Sequence, residues 1–421
     1  MDDSSINVKQ MFNIARKLPT SDARNEYLDQ VCLDEEIRQQ VLGLLEAFDQ
    51  KQEFLESPPT EALELAKAGK IQELTDTEIG PYKIREKIGE GGMGVVYVAE
   101  QTEPVQRKVA IKVIKPGMDT KEVIARFEAE RQALAFMEHP NIARVLDAGA
   151  TESGRSYFVM ELVRGIPITE YCDQVKATPH ERLDLFQTVC DAVQHAHQKG
   201  IIHRDIKPSN ALVTQVSAKP VVKVIDFGLA KATSGQKLTD KTVYTGFMKL
   251  MGTPVYMSPE QAGLSGLDID TRSDVYSLGV LLYELLTGTT PLDKTEIQKQ
   301  AYDELFRQIR EIEAPRPSSR VSTLKDADRS SIAQQRGIES KNLRQLLDGD
   351  LDVVVLKALE KDRDRRYSSP QDLSADVDRF LADQPVLAVP PSSWYLARKY
   401  FRRHRLAILT AAAMAVALRL R

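Results

Sequence analysis

The sequence has few of the features that mark exported, disulfide-bonded or metal-clustered proteins. Its 3 cysteines, Cys32, Cys172 and Cys190, lie far apart and form no Cys-x-x-Cys pair, which argues against a disulfide framework and a zinc cluster. The first ten residues carry three charged side chains and no apolar run, so they do not predict a signal peptide. We therefore expect the main domain to work in a reducing, cytoplasmic setting.

The chain also lacks a strong excess of charge of either sign. The formal net charge is −4, from 57 Lys and Arg against 61 Asp and Glu residues. Nucleic-acid binding requires Lys and Arg clustered against phosphates, so the composition argues against a nucleic-acid partner. The chain has 421 residues, of which 42% are hydrophobic, and at roughly 150 residues per domain this length predicts two or three folding units.

Residues 1–78 are more acidic than the rest of the chain. Apolar residues recur at helical spacing as far as about residue 56, which predicts two to three amphipathic helices followed by a linker. Because charged faces usually point to water, we favour a solvated helical segment over a regulatory or partner-binding module.

The end of the chain combines a basic cluster with a short apolar run. Residues 398–405 are rich in Arg and Lys, and residues 406–418 contain no charge. As a helix this apolar run would cover ~20 Å, less than the ~30 Å hydrocarbon layer of a bilayer. We expect a basic, juxtamembrane-like segment over 386–421 that contacts a membrane through 394–420, as an interfacial helix or as a shortened or truncated anchor. A soluble protein is the alternative.

A glycine-rich run from Ile88 to Val96 lies between two strand-like segments. A dinucleotide-binding fold would need a helix directly after the glycines, but residues 95–99 are mostly β-branched or aromatic and predict a strand. We therefore expect a glycine-tipped hairpin, because glycines let the backbone approach phosphates closely. Val96 would then cover the base of a nucleotide.

One lysine, Lys112, interrupts the apolar strand predicted at residues 109–114. Burying an unpaired ammonium group is costly, so Lys112 needs an anionic partner. The helix predicted over about 121–137 offers Glu128 and Glu130. The spacing favours Glu130, and Glu128 remains an alternative.

A polar octapeptide, 203–210, follows a stretch from Leu183 to Lys199 that predicts a helix. Asp205, Lys207 and Asn210 bring an acid, an amine and an amide together within six residues. This set suits a loop that holds a hydroxyl, a phosphate and a metal ion for phosphoryl transfer. Taken alone, the octapeptide also fits a charged surface loop.

Five short motifs occur in a fixed order along the chain. They are residues 89–96, 109–112, 203–210, 226–228 and 258–260. Together they resemble the signature of eukaryotic-type serine/threonine protein kinases, and the glycine-rich run is similar to that of the bacterial members. One departure is Ser258, where the family usually has Ala.

The resemblance covers about residues 82–385 and implies an α+β fold with two lobes. It places a β-rich N-lobe at 82–161 and a helical C-lobe at 162–385, after the helical N-terminal extension. Residues 311–350 are polar and longer than a usual connection between helices. We expect them to form an insertion in the C-lobe, as a mobile surface loop rather than a partner-docking element.

The resemblance also implies the roles of the catalytic residues. Asp205 would orient the acceptor hydroxyl and accept its proton, and Lys207 would neutralise the γ-phosphate. Asn210 and Asp226 would supply the oxygen ligands that Mg²⁺ prefers.

The nucleotide site follows in the same way. Lys112, paired with Glu130, would hold the α and β phosphates of ATP, and Met160 resembles the gatekeeper behind the adenine. The implied ATP-binding residues are Ile88, Gly89, Glu90, Gly91, Gly92, Met93, Gly94, Val96, Ala110, Lys112, Glu130, Met160, Glu161 and Val163.

The remaining expectations concern support and regulation. Asp274 would anchor the catalytic loop, and Arg366 would pair with Glu260. Arg204 would meet a phosphate on the hydroxyl-rich segment 226–260. Thr242 and Thr245 are the hypothesised regulatory phosphosites, and a homodimer would allow phosphorylation in trans. A flexible linker is the alternative for this segment.

We expect an active kinase that uses Mg²⁺ and ATP and acts on Ser or Thr of protein substrates. Two alternatives stay open. A pseudokinase scaffold would act through the N-terminal segment, although the intact Lys112, Asp205, Asn210 and Asp226 argue against it. A small-molecule phosphotransferase would share this chemistry but would not need residues 258–260.

Overall fold

The computed structural model describes residues 77–91, 94–115, 137–151, 154–227, 254–263, 269–293 and 302–403, with the isolated positions Leu28, Arg38 and Val41. The chain divides into two units, Met1–Leu74 and Thr75–Arg421. In the first unit the three described positions are helical, and Leu28 and Val41 are buried. The rest of the predicted N-terminal helical segment lies outside the described residues.

The second unit begins with an antiparallel sheet of six strands, in the order β1-β2-β3-β4-β6-β5. Its strands are β1 (Glu78–Ile79), β2 (Tyr82–Glu90), β3 (Gly94–Gln101), β4 (Arg107–Ile114), β5 (Val145–Ala150) and β6 (Ser156–Glu161). β4 lies inside the sheet between β3 and β6, and its run of Val, Ala and Ile is buried. Its position explains why the strand is almost continuously apolar.

A small sheet and two helices start the helical part. The elements are β7 (Ile166–Pro167), α1 (Ile168–Gln174), α2 (Pro179–Gln198), β8 (Ala211–Val216) and β9 (Lys219–Val224). A capping box begins α2, because Thr178 accepts from the Glu181 N–H while the Glu181 carboxylate accepts from the Thr178 N–H. The helix predicted from Leu183 to Lys199 is confirmed and begins four residues earlier.

Helix α3 (Thr271–Thr287) forms the centre of the helical lobe. Asp270 caps its start by accepting from the Arg272 N–H at 2.8 Å, and Gly288 ends it in the left-handed conformation, with φ of +74°. From Ser273 to Thr287 every residue of the helix is buried. A helix that is apolar on all sides belongs in a core, and α3 is buried accordingly.

The prediction of a surface loop over 311–350 was wrong. This stretch contains α5 (Pro317–Thr323), α6 (Asp326–Gln335) and α7 (Ser340–Leu347), between α4 (Tyr302–Glu311) and α8 (Asp350–Ala358). These short helices bury the few apolar residues they have. The buried set is Val321, Ala333, Leu343 and Leu347.

A polar residue provides much of the attachment of this stretch. Arg336, 1% exposed, donates to the carbonyl groups of Glu284, Leu285 and Leu286 at the end of α3. Burial and the neighbouring Arg182 lower the pKa of Arg336 to about 9, so the guanidinium stays charged at neutral pH. Read from sequence, this arginine looks like a solvent-facing residue, which is why the loop prediction failed.

The chain continues through α9 (Pro370–Leu381) to α10 (Ser393–Arg403). On α10, Lys399 Nζ lies 2.5 Å from Asp350 Oδ2, and the Tyr395 hydroxyl donates to the same carboxylate at 3.1 Å. No helix among the described residues is long and apolar enough to cross a membrane. The apolar run predicted at 406–418 lies outside those residues.

Replacing Arg336 by Met should lower the free energy of unfolding by about 2–4 kcal/mol, because buried carbonyl groups at the end of α3 lose their donors. Arg329 on the same helix pairs with the exposed Asp326, so Arg329→Met should change the value by no more than about 0.5 kcal/mol. Urea unfolding of both variants measures the difference. Equal effects would mean that α6 does not depend on its buried arginine.

Candidate active site

The predicted catalytic residues Asp205, Lys207 and Asn210 lie together. They occupy the loop after α2, which ends in a 3-10 turn at Pro208–Asn210. Lys207 Nζ is 2.7 Å from Asp205 Oδ2. The Asn210 amide donates to the Asp205 carbonyl at 2.8 Å and to its carboxylate at 3.1 Å. The carboxylate is therefore held in one orientation by a cation and an amide.

The completely buried Asp274 near the start of α3 holds this loop in place. Its carboxylate accepts from the backbone N–H groups of His203 at 2.8 Å and Arg204 at 2.7 Å, and His197 Nε2 lies 2.7 Å away. Burial alone would raise the pKa of Asp274, but the hydrogen bond and charge of His197 and the His203 N–H lower it. The predicted anchor is confirmed.

Two residues of the site have backbone conformations that L-amino acids rarely adopt. Arg204 has φ of +64° and Asp226 has φ of +62°. Such positions cost of order 1 kcal/mol each and persist only where surrounding contacts hold them. At Arg204 these contacts come from Asp274 and from the Gln261 amide, which donates to the Arg204 carbonyl at 2.9 Å.

His203 has a structural role in the site. Its Nε2 lies 3.0 Å from the carbonyl oxygen of Ile225, and its ring centroid lies 4.5 Å from that of Phe227. Burial lowers the pKa of His203, so the ring is neutral at physiological pH. It thereby joins the catalytic loop to the segment that carries Asp226.

Lys112 has the anionic partner that its burial requires. Its Nζ lies 3.0 Å from Asp226 Oδ1, and only 9% of the lysine side chain is exposed. The pair brings the six-stranded sheet into direct contact with the segment after β9. The predicted partner Glu130, and its alternative Glu128, lie outside the described residues.

Several expected nucleotide contacts share one face of the six-stranded sheet. Val96 pairs with Lys112 across β3 and β4, and Ala110 pairs with Met160 across β4 and β6. Because side chains alternate along a strand, these four residues point to the same side. The four residues expected to contact the nucleotide thus lie on the face of the sheet that carries Lys112.

The hairpin between β2 and β3 closes through the Gly91 N–H, which donates to the Gly94 carbonyl at 2.9 Å. A Cβ atom at Gly94 would lie 2.6 Å from the Val113 carbonyl oxygen, so glycine is required there. Ile88 is half exposed at the base of the hairpin. Gly92 and Met93 at the tip lie outside the described residues.

The end of β6 is tied to β9 by contacts that the sequence did not reveal. Lys223 Nζ lies 3.0 Å from the Glu161 carboxylate at the end of β6. The Asn141 amide, which precedes β5, also donates to the Val222 carbonyl of β9 at 2.8 Å. Lys223 interrupts an apolar strand in the same way as Lys112 does, and this pattern was the available signal. Val163, another of the expected ATP-binding residues, lies in the segment between β6 and β7.

The predicted pair of Glu260 and Arg366 is confirmed. Two nitrogen atoms of Arg366 donate to the Glu260 carboxylate at 2.7 and 2.8 Å, and the Ser273 hydroxyl donates to it at 2.6 Å. Burial raises the pKa of Glu260, but these contacts outweigh it and lower the pKa. The pair fixes residues 258–260 against the start of α3. Gly228, Thr242 and Thr245 lie outside the described residues.

The donor set fits a magnesium ion bound together with nucleotide phosphates. Asn210 and Asp226 supply amide and carboxylate oxygens, and the Ile225 N–H donates to the Asn210 carbonyl at 2.9 Å, which links their two segments. No group of three or more His, Cys, Asp or Glu in the described part of the chain is arranged to hold a metal ion. Phosphate oxygens and water would complete such a site.

A family model described as the protein kinase domain matches residues 82–376. The chain belongs to the protein kinase family. Its two-lobed arrangement, with a strand-rich N-lobe and a helical C-lobe, is the protein kinase fold. Members of this family use ATP and Mg²⁺. The helical N-terminal extension stays a prediction.

The chain is similar to several bacterial serine/threonine-protein kinases. It is 35% identical over 309 residues to PknB of Mycobacterium leprae, which covers 72% of this chain and 43% of the relative. It is 34% identical over 302 residues to PrkC of Bacillus subtilis, which covers 71% and 40%. The chain spans about two fifths of the length of the curated relatives it matches.

Solved kinase domains show the same fold. The PknI kinase domain of Mycobacterium tuberculosis matches with a TM-score of 0.51 and 24% identity, over 72% of this chain and 98% of that one. A double mutant of the PknI domain matches with a TM-score of 0.51 and 23% identity, over 72% and 97%.

Replacing Asp274 by Asn should loosen the catalytic loop of this kinase domain. The amide offers one acceptor oxygen in place of two, so we expect the His203 and Arg204 amides to exchange with deuterium at least ~10-fold faster. Asp352→Asn is the matched control, because Asp352 is also buried and accepts from a backbone N–H, that of Ser318. If both variants speed exchange at 203 and 204 equally, the effect is general destabilisation and not loss of an anchor.

Proposed function

We propose that the protein is an ATP-dependent serine/threonine protein kinase that transfers the γ-phosphoryl group to Ser or Thr hydroxyls of other proteins. The observation that carries the proposal is the cluster of Asp205, Lys207 and Asn210 on a loop anchored by Asp274. The Lys112 and Asp226 pair supplies the charged groups for the phosphates and the metal ion. The serine/threonine-protein kinases among its relatives support the same activity.

MgATP, when bound, would supply the phosphoryl group that is transferred. Asp205 orients the acceptor hydroxyl and takes its proton, and Lys207, 2.7 Å from Asp205, neutralises charge on the transferred group. Asn210 and Asp226 provide the protein oxygens for the metal. Lys112, 3.0 Å from Asp226 Oδ1, would supply positive charge for the phosphates. Catalysis by this set is mainly positioning and charge stabilisation.

Replacing Asp205 by Asn should reduce phosphotransfer at least ~10³-fold while the Kd for ATP changes less than ~3-fold, because the group that orients the hydroxyl is lost and the nucleotide face is kept. Purified protein, Mg²⁺, labelled ATP and a generic protein substrate provide the assay, after treatment with an activating kinase. Asp184→Asn, the same change on the exposed side of α2, is the control and should transfer normally.

Three outcomes would overturn the proposal in different ways. Absence of transfer by the wild type, with ATP bound, would favour a pseudokinase scaffold. Equal transfer by the wild type and Asp205→Asn would remove the role given to Asp205. Transfer only to small hydroxylated molecules would favour the small-molecule phosphotransferase.

Regulation by phosphorylation of Thr242 and Thr245 is part of the proposal and is supported by the sequence alone. Arg204, whose backbone is fixed by Asp274 and Gln261, would meet the phosphate. Phosphosite mapping of the active protein checks this point, and unmodified residues 233–253 with full activity would contradict it. Modification in trans by a homodimer would appear as an autophosphorylation rate that rises with protein concentration.

The membrane contact proposed through 394–420 is supported by the outer side of α10, with the kinase domain in the cytoplasm. Trp394 is 79% exposed, and Tyr400 and Phe401 are both 59% exposed. Arg398 and Arg403 lie on the same helix, and basic and aromatic residues together favour the surface of an anionic bilayer. Lys399 faces the domain, paired with Asp350.

The full chain should therefore sediment with vesicles of phosphatidylcholine and phosphatidylglycerol. Replacing both Trp394 and Phe401 by Ser should weaken the binding ~5-fold or more, because interfacial apolar area is lost. The control replaces Val105 and Val216, exposed apolar residues elsewhere, by Ser. Wild-type protein that stays in the supernatant, or equal loss in both double variants, would contradict the contact.

A further inference from the structure

Glu90 in the glycine-rich hairpin contacts two lysines, and the catalytic scheme uses none of these contacts. Its Oε2 lies 2.6 Å from Lys87 Nζ, and its Oε1 lies 2.7 Å from Lys115 Nζ. Lys87 is on β2 with Glu90, but Lys115 directly follows β4. The Glu90 and Lys115 pair therefore joins two strands that are not neighbours, since β3 lies between them.

The register of the sheet shows on which face this contact lies. Glu90 pairs with Val95, which pairs with Val113 on β4. One residue further along each strand, Gly89 pairs with Val96, which pairs with Lys112. Since neighbouring residues of a strand point to opposite faces, the Glu90 side chain lies on the face opposite to Lys112. Glu90 is among the residues expected to contact ATP. Because its side chain points away from the nucleotide face, only its backbone could make that contact.

The distance that the pair bridges needs two long side chains. Two strand spacings amount to about 9.5 Å, which the side chains of Glu90 and Lys115 span together. Apart from this bridge, the described contacts of the end of β2 run to β3, through strand pairing and the Gly91 hydrogen bond.

The charges favour a persistent contact. The Lys115 side chain is only 17% exposed, whereas those of Lys87 and Glu90 are 38% and 42% exposed. The hydrogen bond from Lys115, and then that from Lys87, lower the pKa of Glu90 to about 2. The carboxylate is thus ionised throughout the physiological range. Because Glu90 is open to solvent, the expected effect of the network is modest.

We propose that Glu90 is a positioning residue that, together with Lys115, fastens the glycine-rich hairpin to β4 and so sets its height above the phosphates held by Lys112. The inference rests on the proposed kinase function for its catalytic readout. Its other readout is the affinity for ATP, which can be measured without phosphotransfer.

Replacing Glu90 by Gln keeps the shape of the side chain and removes its charge. We expect the Kd and the KM for ATP to rise ~3- to 5-fold, with kcat within twofold of the wild type, because a loosened hairpin weakens phosphate contacts before the chemical step. Amide exchange over residues 89–96 should become faster. Lys115→Met should give the same changes, and Lys115→Arg, which keeps the cation, should retain wild-type affinity.

The double variant Glu90→Gln/Lys115→Met tests the pairing directly. If the two residues act through one contact, the double variant should bind ATP no more weakly than either single variant. The matched control is Glu100→Gln, which removes an exposed carboxylate that pairs with Arg85 and Lys108 on the same sheet but far from the glycines. It should leave the Kd for ATP unchanged.

Additive losses in the double variant, an unchanged Kd in Glu90→Gln, or an equal shift in Glu100→Gln would each overturn the inference. Failure of the kinase proposal has a different signature. A wild type that binds ATP without transferring phosphate, and that loses affinity on Glu90→Gln, would overturn the kinase function and leave the role of Glu90 in place. A wild type that does not bind ATP would overturn both.

Discussion

Asp274 at the start of α3 is a buried carboxylate on which the geometry of the site depends. Water does not reach it, so its charge is stabilised only by the donors that the fold provides: two successive backbone N–H groups and an imidazole. An unpaired charge at this depth would be prohibitively costly. The hydrogen bonds to Asp274 consequently fix the position of the catalytic loop. They also stabilise the left-handed conformation of Arg204, which L-amino acids rarely adopt.

The same requirement for paired buried charge connects the two lobes. Lys112 is buried in the N-lobe sheet and reaches Asp226, and Lys223 on β9 reaches Glu161 at the end of β6. Each lysine interrupts an apolar strand, and each finds its partner on the other lobe. Lobe position and site geometry are therefore coupled, because moving one lobe would separate a cation from its carboxylate. Closure of such lobes around a ligand is the usual means of completing a two-domain site.

Much of the site could be predicted from the sequence, because its chemistry is concentrated in short contiguous motifs. Asp205, Lys207 and Asn210 are near in sequence and are also near in space. The anchoring role of Asp274 and the pair of Glu260 and Arg366 were predicted correctly. The helices within 311–350 were not, because their buried residues are few and their main anchor is an arginine. Hydrophobic periodicity does not detect a guanidinium group that satisfies the carbonyl groups of another helix.

The sequence by itself determined the family, the order of strands and helices around the motifs, and the types of side chain available for phosphoryl transfer. Apart from the pair of Glu260 and Arg366, only the tertiary structure decided the partners of the buried and bridging charges. In the structure Lys112 pairs with Asp226, and Lys223 pairs with Glu161. Arg336 donates to the end of α3, and Glu90 pairs with a lysine two strands away. The hydrophobic pattern of a helix or strand indicates which of its faces is buried. The partner of a buried or bridging charge depends instead on which distant segments the fold brings within about 3 Å.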